Sequence, residues 1–383
     1  MALTLQPVTS SRDLRRFVTF PWLIYRGDPF WVPPLIRDQL AKLDPAHNPF
    51  WSNAERMLWI AWEGRSPVGT VAAIVDHSLI QALGRPIGTF GFFECVNEQR
   101  VADLLLDTAA AWLAGRGMVA MRGPYNPSIV DGMGVLVEGH HTRPALLEAH
   151  TPPYYASLLE NAGFTRHLDA MAWLARADPT VRELAEVMPK RLLRVAERVR
   201  ARSDVSIRRL DMTNLEGEVA LAGRLYNASL AHLPQYVPLS DAEFRYFAAA
   251  FRPILDPDLA LLVSVAGEPA GFSLTLPDFN EALRHANGRL WPLGLAKIWW
   301  HSRRLTRATL KVLVMLPQYR GRGLEALLIV ETARTLWAKG YRELDMSLTG
   351  EENQEVQRLL EGLGAQVYRR YRVYERTLSP PLQ

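Results

Sequence analysis

The chain repeats itself, and that duplication limits its possible folds more than any other feature. Residues 59–75 (WIAWEGRSPVGTVAAIV) and 259–276 (LALLVSVAGEPAGFSLTL) share one grammar: a β-patterned run, a glycine turn and a second β-patterned run. The turns, Gly64-Arg65-Ser66-Pro67 and Gly267-Glu268-Pro269, interrupt the two runs as a hairpin requires. The correspondence continues downstream. Residues 104–117 (LLLDTAAAWLAGRG) and 329–340 (IVETARTLWAKG) each read as a helix ended by glycine, and 158–164 (LLENAGF) matches 359–365 (LLEGLGA). A strand is expected to close each copy, at 171–175 (MAWLA) and at 366–377 (QVYRRYRVYERT), where Tyr and Val alternate with Arg. The pattern predicts an α/β chain with mixed sheet, made of two copies of one unit of hairpin, strand, helix, strand, helix and strand.

A length of 383 residues with 48% hydrophobic content supplies each copy with its own core. The boundary is expected in a basic segment, giving a first domain at 1–176, a helical linker at 177–208 and a second domain at 209–383. Lys190, Arg191, Arg194, Arg198, Arg200 and Arg202 make the linker cationic. It reads as a solvated connecting helix or as a surface for a membrane or an acidic carrier protein. Overall, Lys plus Arg exceed Asp plus Glu by 44 − 40 = 4. That excess suits a mildly anionic partner, and the basic residues are not interleaved with aromatics as a nucleic-acid platform would need. No apolar run follows the N-terminal charges, so the chain is expected in the cytosol. Cys95 is the one cysteine, set among strand-like residues, and reads as a small core residue. The pair His140-His141 has no carboxylate or thiol at ligand spacing, so no metal is expected.

The strongest chemical signal is Gln318-Tyr319-Arg320-Gly321-Arg322-Gly323. It joins an apolar strand, Leu310 to Leu316, to an amphipathic helix from Leu324 to Lys339. At a strand-to-helix turn the first helical N–H groups are unpaired and carry partial positive charge, and glycines let the backbone approach a ligand. Arg320 and Arg322 add cationic side chains, so the turn is an anion cradle suited to a pyrophosphate. A dinucleotide fold is excluded because a third glycine and a later acidic strand end are absent.

The order of elements and the spacing of Gln318, Gly321 and Gly323 resemble the GNAT superfamily of acyl-coenzyme A dependent N-acyltransferases. Asn353, ahead of the segment 357–364, resembles the family's later Asn motif. The resemblance covers roughly 209–383 with motif support. The first copy is similar in grammar, but its strand 87–96 runs into Asn97-Glu98-Gln99-Arg100 without glycine, so a single donor site is expected. A narrower similarity, to large bacterial GNAT-like proteins, rests on the opening Tyr25-Arg26-Gly27-Asp28-Pro29-Phe30-Trp31-Val32-Pro33-Pro34 and on Gly123-Pro124-Tyr125-Asn126-Pro127-Ser128. Some of that group are associated with N-acylation of long-chain bases.

The resemblance implies acetyl-CoA or a longer acyl-CoA as donor, a small-molecule or lipid amine as acceptor, and direct attack without a covalent enzyme intermediate. It implies that the main chain of Val314, Met315 and Leu316 contacts pantetheine and thioester, and that Gln318 and Tyr319 with Arg320 to Leu324 hold the pyrophosphate. The strand Thr309 to Leu316 lacks the carboxylate many members use as base, and Leu360 stands where many have a tyrosine acid. Asp278, Glu281, Tyr371 and Tyr374 are the candidates to replace them. Glu94, among aromatics in the first copy, reads as a cross-strand ion pair or a further site residue. A catalytically idle acyl-CoA sensor is the other reading; acyl length, acceptor and oligomeric state stay open at this point. Between the hairpin and strand 310–316, residues 290–300 (LWPLGLAKIWW) form an insertion, readable as an interfacial or acyl-chain segment or as a lid packed on its own core.

Overall fold

In the computed structural model, which describes residues 2–378 apart from 129, 179, 234 and 235, the duplicated pattern yields two units of one plan. The first comprises Met1–Met171, Ala282–Trp300 and Tyr368–Gln383; the second comprises Ala172–Glu281 and His301–Val367. Strands of the first unit are β1 (Leu3–Pro7), β2 (Ala54–Glu63), β3 (Ser66–Asp76), β4 (Ile87–Cys95), β5 (Ala120–Gly123), β6 (Val135–Glu138) and most of β7 (Thr165–Arg176). The second unit takes the end of β7, then β8 (Val205–Arg209), β9 (Ala260–Val265), β10 (Glu268–Pro277), β11 (Arg307–Met315) and β12 (Glu343–Gly350). The last strand, β13 (Gln366–Thr377), lies in the first unit from Tyr368 onward.

Side chains alternate across a strand, and β3 shows the result. Val71, Ala73 and Val75 pack with Leu105, Leu106 and Ala109 of the helix Gln99–Ala114. Ala72 and Ile74 face the other way, among Ile36, Leu43, Phe50 and Trp51. The second unit repeats the arrangement: Leu261, Val263 and Met315 meet Leu324, Leu327 and Leu328 on one face, and Leu262, Phe272 and Val314 meet Leu225 on the other. Each unit therefore has helices on both faces of a mixed sheet, whose order is β1-β2-β3-β4-β5-β13 in the first and β12-β11-β10-β9-β8 in the second. The pairs β4–β5 and β11–β12 are parallel; the hairpins β2–β3 and β9–β10 are antiparallel, as expected from sequence.

The closing strands depart from expectation. Residues 366–377 do not complete the second copy. Tyr374 pairs with Gly123 and Arg376 with Met121 on β5, and Tyr371 pairs with Leu136 on β6, all in the first unit. Conversely the chain enters the second unit already at Ala172, so the units are not the contiguous spans 1–176 and 209–383. An alternating strand pattern states that a strand exists and which face is apolar; it does not say which of two equivalent sheet positions receives it.

The basic segment is likewise an element of the second unit rather than a linker. In its helix Lys190–Arg200, Val199 joins the core with Leu324, Leu327 and Leu328, and Arg200 bonds Glu331 at 2.5 Å. Lys190, Arg191, Arg194 and Arg198 stay on the surface.

Tyr374 has no solvent exposure, packs in the first unit's core and donates to Glu160 at 2.9 Å. Truncating a buried large aromatic to alanine costs about 3–5 kcal/mol. For Tyr374→Ala, amide hydrogen exchange should lose protection in β4 and β5 while β9 to β11 keep theirs. Loss confined to β9 to β11 would refute the exchange of closing strands.

Candidate functional site

The parallel ladder of β11 and β12 runs from Arg307 opposite Glu343 to Leu310 opposite Met346. Its base is tied by buried polar contacts. The Arg307 guanidinium donates to Asp278 at 2.6 and 2.5 Å, Thr309 Oγ1 donates to Asp345 at 2.5 Å, and Lys311 Nζ lies 3.8 Å from Asp345. Above this base both strands continue, yet among the described residues no pairing joins 312–315 to 348–350. On its other side β11 stays paired with β10 as far as Met315 opposite Gly271. One edge of β11 therefore presents main-chain polar groups to an open wedge, and such groups require partners.

At the top of the wedge the chain makes a short 3₁₀ turn, Pro317–Tyr319, and enters the helix Leu324–Ala338. Gly321 and Gly323 stand at φ 68° and 79°, in the left-handed region. A side chain at Gly323 would meet Val195 and Val199 at 2.8 and 3.0 Å, whereas one at Gly321 would enter open space. No side chain caps this helix, and among the described residues no protein acceptor takes the N–H groups of Gly321 through Ala326. A run of main-chain donors at a helix N-terminus is an anion-binding geometry.

The side chains expected here divide. Val314 and Met315 point into the two opposite cores, which leaves their main chain on the strand edges, and Leu316 N–H is taken by Ala270 O at 2.9 Å. Gln318 is exposed and Leu324 buried. The Arg322 guanidinium lies 5.5 Å over the Tyr319 ring. Arg320 donates to Ser229 O at 2.5 Å and Met315 O at 3.2 Å and contacts His232 at 3.0 Å, tying the turn to the end of the helix Leu215–Leu230. Asn353 uses its side-chain oxygen to cap the helix Gln354–Gly362 through Val356 N–H at 3.3 Å.

The proton-transfer candidates are all engaged elsewhere. Asp278 has no solvent contact and is held by Arg307, so no acceptor can reach it. Glu281 accepts from Thr306 N–H at 3.0 Å. Tyr371 and Tyr374 are fully buried in the first unit, bonded to Ala149 O at 3.0 Å and Glu160 at 2.9 Å. Leu360 is a core residue. Sequence spacing had no means of showing these partners, which come from distant segments.

In the first unit the counterpart of the wedge is filled. Tyr155 OH accepts from Cys95 N–H at 2.8 Å, Tyr154 OH donates to Cys95 O at 2.8 Å, and Asn126 Oδ1 accepts from Phe92 N–H at 2.6 Å. At the following turn Val101 and Ala102 N–H groups are satisfied by Glu98 O. Missing glycine announced part of this change; the two tyrosines that fill the strand edge lie some sixty residues away and carried no signal. Among the described residues Glu94 has no cross-strand ion pair; it accepts from two tyrosine hydroxyls, Tyr155 at 2.6 Å and Tyr25 at 3.3 Å.

The inserted segment is not packed on a core at its tip: Trp291 is 82% exposed, Leu293 64%, Leu295 57%, and Trp299 and Trp300 more than half. Among the described residues no helix is long and apolar enough to cross a membrane.

No family model matches the sequence. The bacterial ceramide synthase of Caulobacter vibrioides (strain NA1000 / CB15N) is 31% identical over 384 residues, covering 98% of both chains. Protein YghO of Escherichia coli (strain K12) is 29% identical over 379 residues, covering 96% of this chain and 94% of its own. Among solved structures, a tandem GNAT protein from the clavulanic acid biosynthesis pathway superposes over the whole of both chains with a TM-score of 0.61 at 14% identity. The two-unit fold is that of a tandem GNAT protein, and with 31% identity from end to end the chain belongs to the family that includes the bacterial ceramide synthase.

Proposed function

We propose that the protein transfers an acyl group from acyl-coenzyme A to the nitrogen of a long-chain, sphingoid-type primary amine. The observation that carries this reading is the open edge of β11 running into the unpaired N–H groups of Gly321 to Ala326. The fit is chemical: a pantetheine arm is an extended amide chain that can pair with a strand edge, and a pyrophosphate matches a cluster of helix N-terminal donors. Val314 and Met315 would hold the arm and thioester through main-chain groups, with Leu316, whose N–H is taken by Ala270 O, closing the edge; Gly321 to Leu324 would hold the pyrophosphate, with Arg322 at its border. When bound, the thioester supplies an activated acyl carbon. The amine forms the new C–N bond there, the C–S bond breaks, and the proton lost by nitrogen balances the departing thiolate. Orientation of the two reactants accounts for much of the acceleration in such a direct transfer.

The acceptor class is supported by the 31%-identical relative named as a ceramide synthase, a ceramide being an N-acylated long-chain amine. It is also supported by the inserted segment. Residues 282–304 hold Arg284, Arg289, Lys297, Arg303 and Arg304 with no Asp or Glu, beside the exposed tryptophans and leucines. Aromatic and aliphatic side chains beside clustered cations suit the surface of an anionic bilayer, where each cation contributes about 1 kcal/mol. Peripheral contact at the inner membrane face follows from this reading. The occupied state of Asp278, Glu281, Tyr371 and Tyr374 favours a second reading, an acyl-CoA sensor without turnover.

Three measurements test these assignments. Asn tolerates a left-handed φ better than other residues and is nearly isosteric with Asp, so Gly321→Asn and Gly321→Asp differ mainly by one negative charge. Titration with acyl-CoA should show Asp weakening binding at least about tenfold more than Asn, and equal losses would remove the pyrophosphate from this turn. Product analysis with sphinganine as acceptor separates enzyme from sensor, because a sensor retains binding yet yields no amide. For the membrane, sedimentation with phosphatidylglycerol-containing vesicles should fall about tenfold in Trp291→Ala/Trp299→Ala. Wild-type protein that ignores such vesicles would exclude the surface role.

A further inference from the structure

Two segments that the donor site does not use converge on one carboxylate in the first unit. In β4 the register shifts: Cys95 and Glu94 oppose Gly69 and Thr70, but Gly91 opposes Ala72, so Phe92 and Phe93 together face Val71. Phe92 stands at φ 46°, a conformation costly for a bulky residue. It is held there by Asn126, which accepts its N–H at 2.6 Å, and by Thr70, whose hydroxyl donates to its carbonyl at 3.0 Å. Bulges re-aim the side chains beside them, and Glu94 follows directly.

Both oxygens of Glu94 are met by neutral donors, Tyr155 OH at 2.6 Å and Tyr25 OH at 3.3 Å. Tyr25 stacks on Trp31 with centroids 4.8 Å apart, and Trp31 meets Trp22 edge-on at 5.1 Å. Asp28 bonds His150 at 2.8 Å and so anchors the opening segment that carries Tyr25 and Trp31. Tyr25, Asp28 and Trp31 come from the proline-rich opening, and Asn126 from the stretch 123–128. The titratable groups facing Glu94 are Tyr25, Tyr155, Tyr154 and Cys95, with Asp28 and Glu98 beyond them. Among the described residues no lysine, arginine or histidine pairs with it; His150 is committed to Asp28. Glu94 nevertheless keeps partial solvent contact.

We propose that Glu94, with Tyr25 and Tyr155, forms a binding site for the ammonium head of a long-chain primary amine. The role as acceptor site rests on the N-acyltransferase reading above; the binding itself does not. A carboxylate offers about four lone-pair positions, of which the tyrosines fill two, leaving the others for ammonium N–H groups. The aromatic setting favours a cation over a neutral head of equal size. Burial pushes the Glu94 carboxyl up to about 7, against the pull of the two hydroxyls. Below that pH the group is protonated and offers no counter-charge; above it the carboxylate is ionised while an alkylamine, with a pKa near that of lysine at about 10.4, is still cationic. Amine affinity should therefore rise as pH passes upward through 7.

Calorimetric titration of the full-length protein with decylamine and with decanol reads this out. Decylamine should bind at least about tenfold tighter than decanol at about pH 8, and the preference should shrink about tenfold towards pH 5.5. Glu94→Gln should level the two probes and flatten the pH profile, with acyl-CoA affinity unchanged as the sign of an intact fold. Tyr25→Phe keeps the ring and removes one donor to the carboxylate, so it should move the midpoint to higher pH. Amine preference surviving in either a folded Glu94→Gln protein or at low pH would overturn the site. Decylamine binding that depends on Glu94 without any amide product would leave the site standing and refute the transferase reading. N-acylation with an unchanged KM for amine in Glu94→Gln would do the reverse.

Discussion

The parting of β11 from β12 above Leu310 and Met346 is the constraint on which the second unit depends. A parallel pair would ordinarily zip to its end, since unpaired main-chain groups are costly. Here the base is locked by Arg307 with Asp278 and Thr309 with Asp345, none of them more than slightly exposed. Breaking one partner of a buried pair typically costs 3–5 kcal/mol, so the lower rungs are stiff and divergence begins where those contacts end. The edge so released leads straight into the turn at Gly321 and Gly323. Strand edge and helix N-terminus thus form one continuous row of donors and acceptors.

The first unit started from the same plan and was closed by side chains. Hydroxyls of Tyr154 and Tyr155 occupy both polar groups of Cys95, and Asn126 takes the N–H of Phe92. Substituting side chains for a ligand satisfies the same main-chain demand without any bound molecule. It also leaves Glu94 in a setting of aromatic rings and neutral donors. Two sheets of one plan thus meet the same edge problem in opposite ways, one left open and one filled by side chains.

Much of this was legible in the residues, and the boundary of legibility is physical. The hairpins, the alternating cores of β3 and β9, and the glycine turn are local patterns, spelled within a dozen residues by pleat, helix period and backbone freedom. The side-chain partners of Arg320 were not legible, because Ser229 O and His232 lie at and just beyond the end of a helix some ninety residues earlier. Asp278 looked available because Arg307 sits on the far side of an insertion, 29 residues later. Tyr371 and Tyr374 were assigned to the wrong unit because strand patterns carry no address. Glu94 was visible as a charge among aromatics, but only the fold shows that Tyr25 and Tyr155, from opposite directions along the chain, meet it.

The placement of β13 also orders events in time. On the ribosome an N-terminal domain usually completes itself before the next emerges. Here the strand that pairs with β5 and β6 and carries Tyr374 into the first core is made after every other strand described. Until residues 368–378 leave the tunnel, the first unit has an unfilled sheet position and an exposed strand edge, although nearly all its other residues have long been synthesised. The second unit, begun later, has its full set of strands sooner. Such an inversion exposes the early half to mispairing for most of translation, so the nascent chain has more need of chaperones than either sheet alone would suggest.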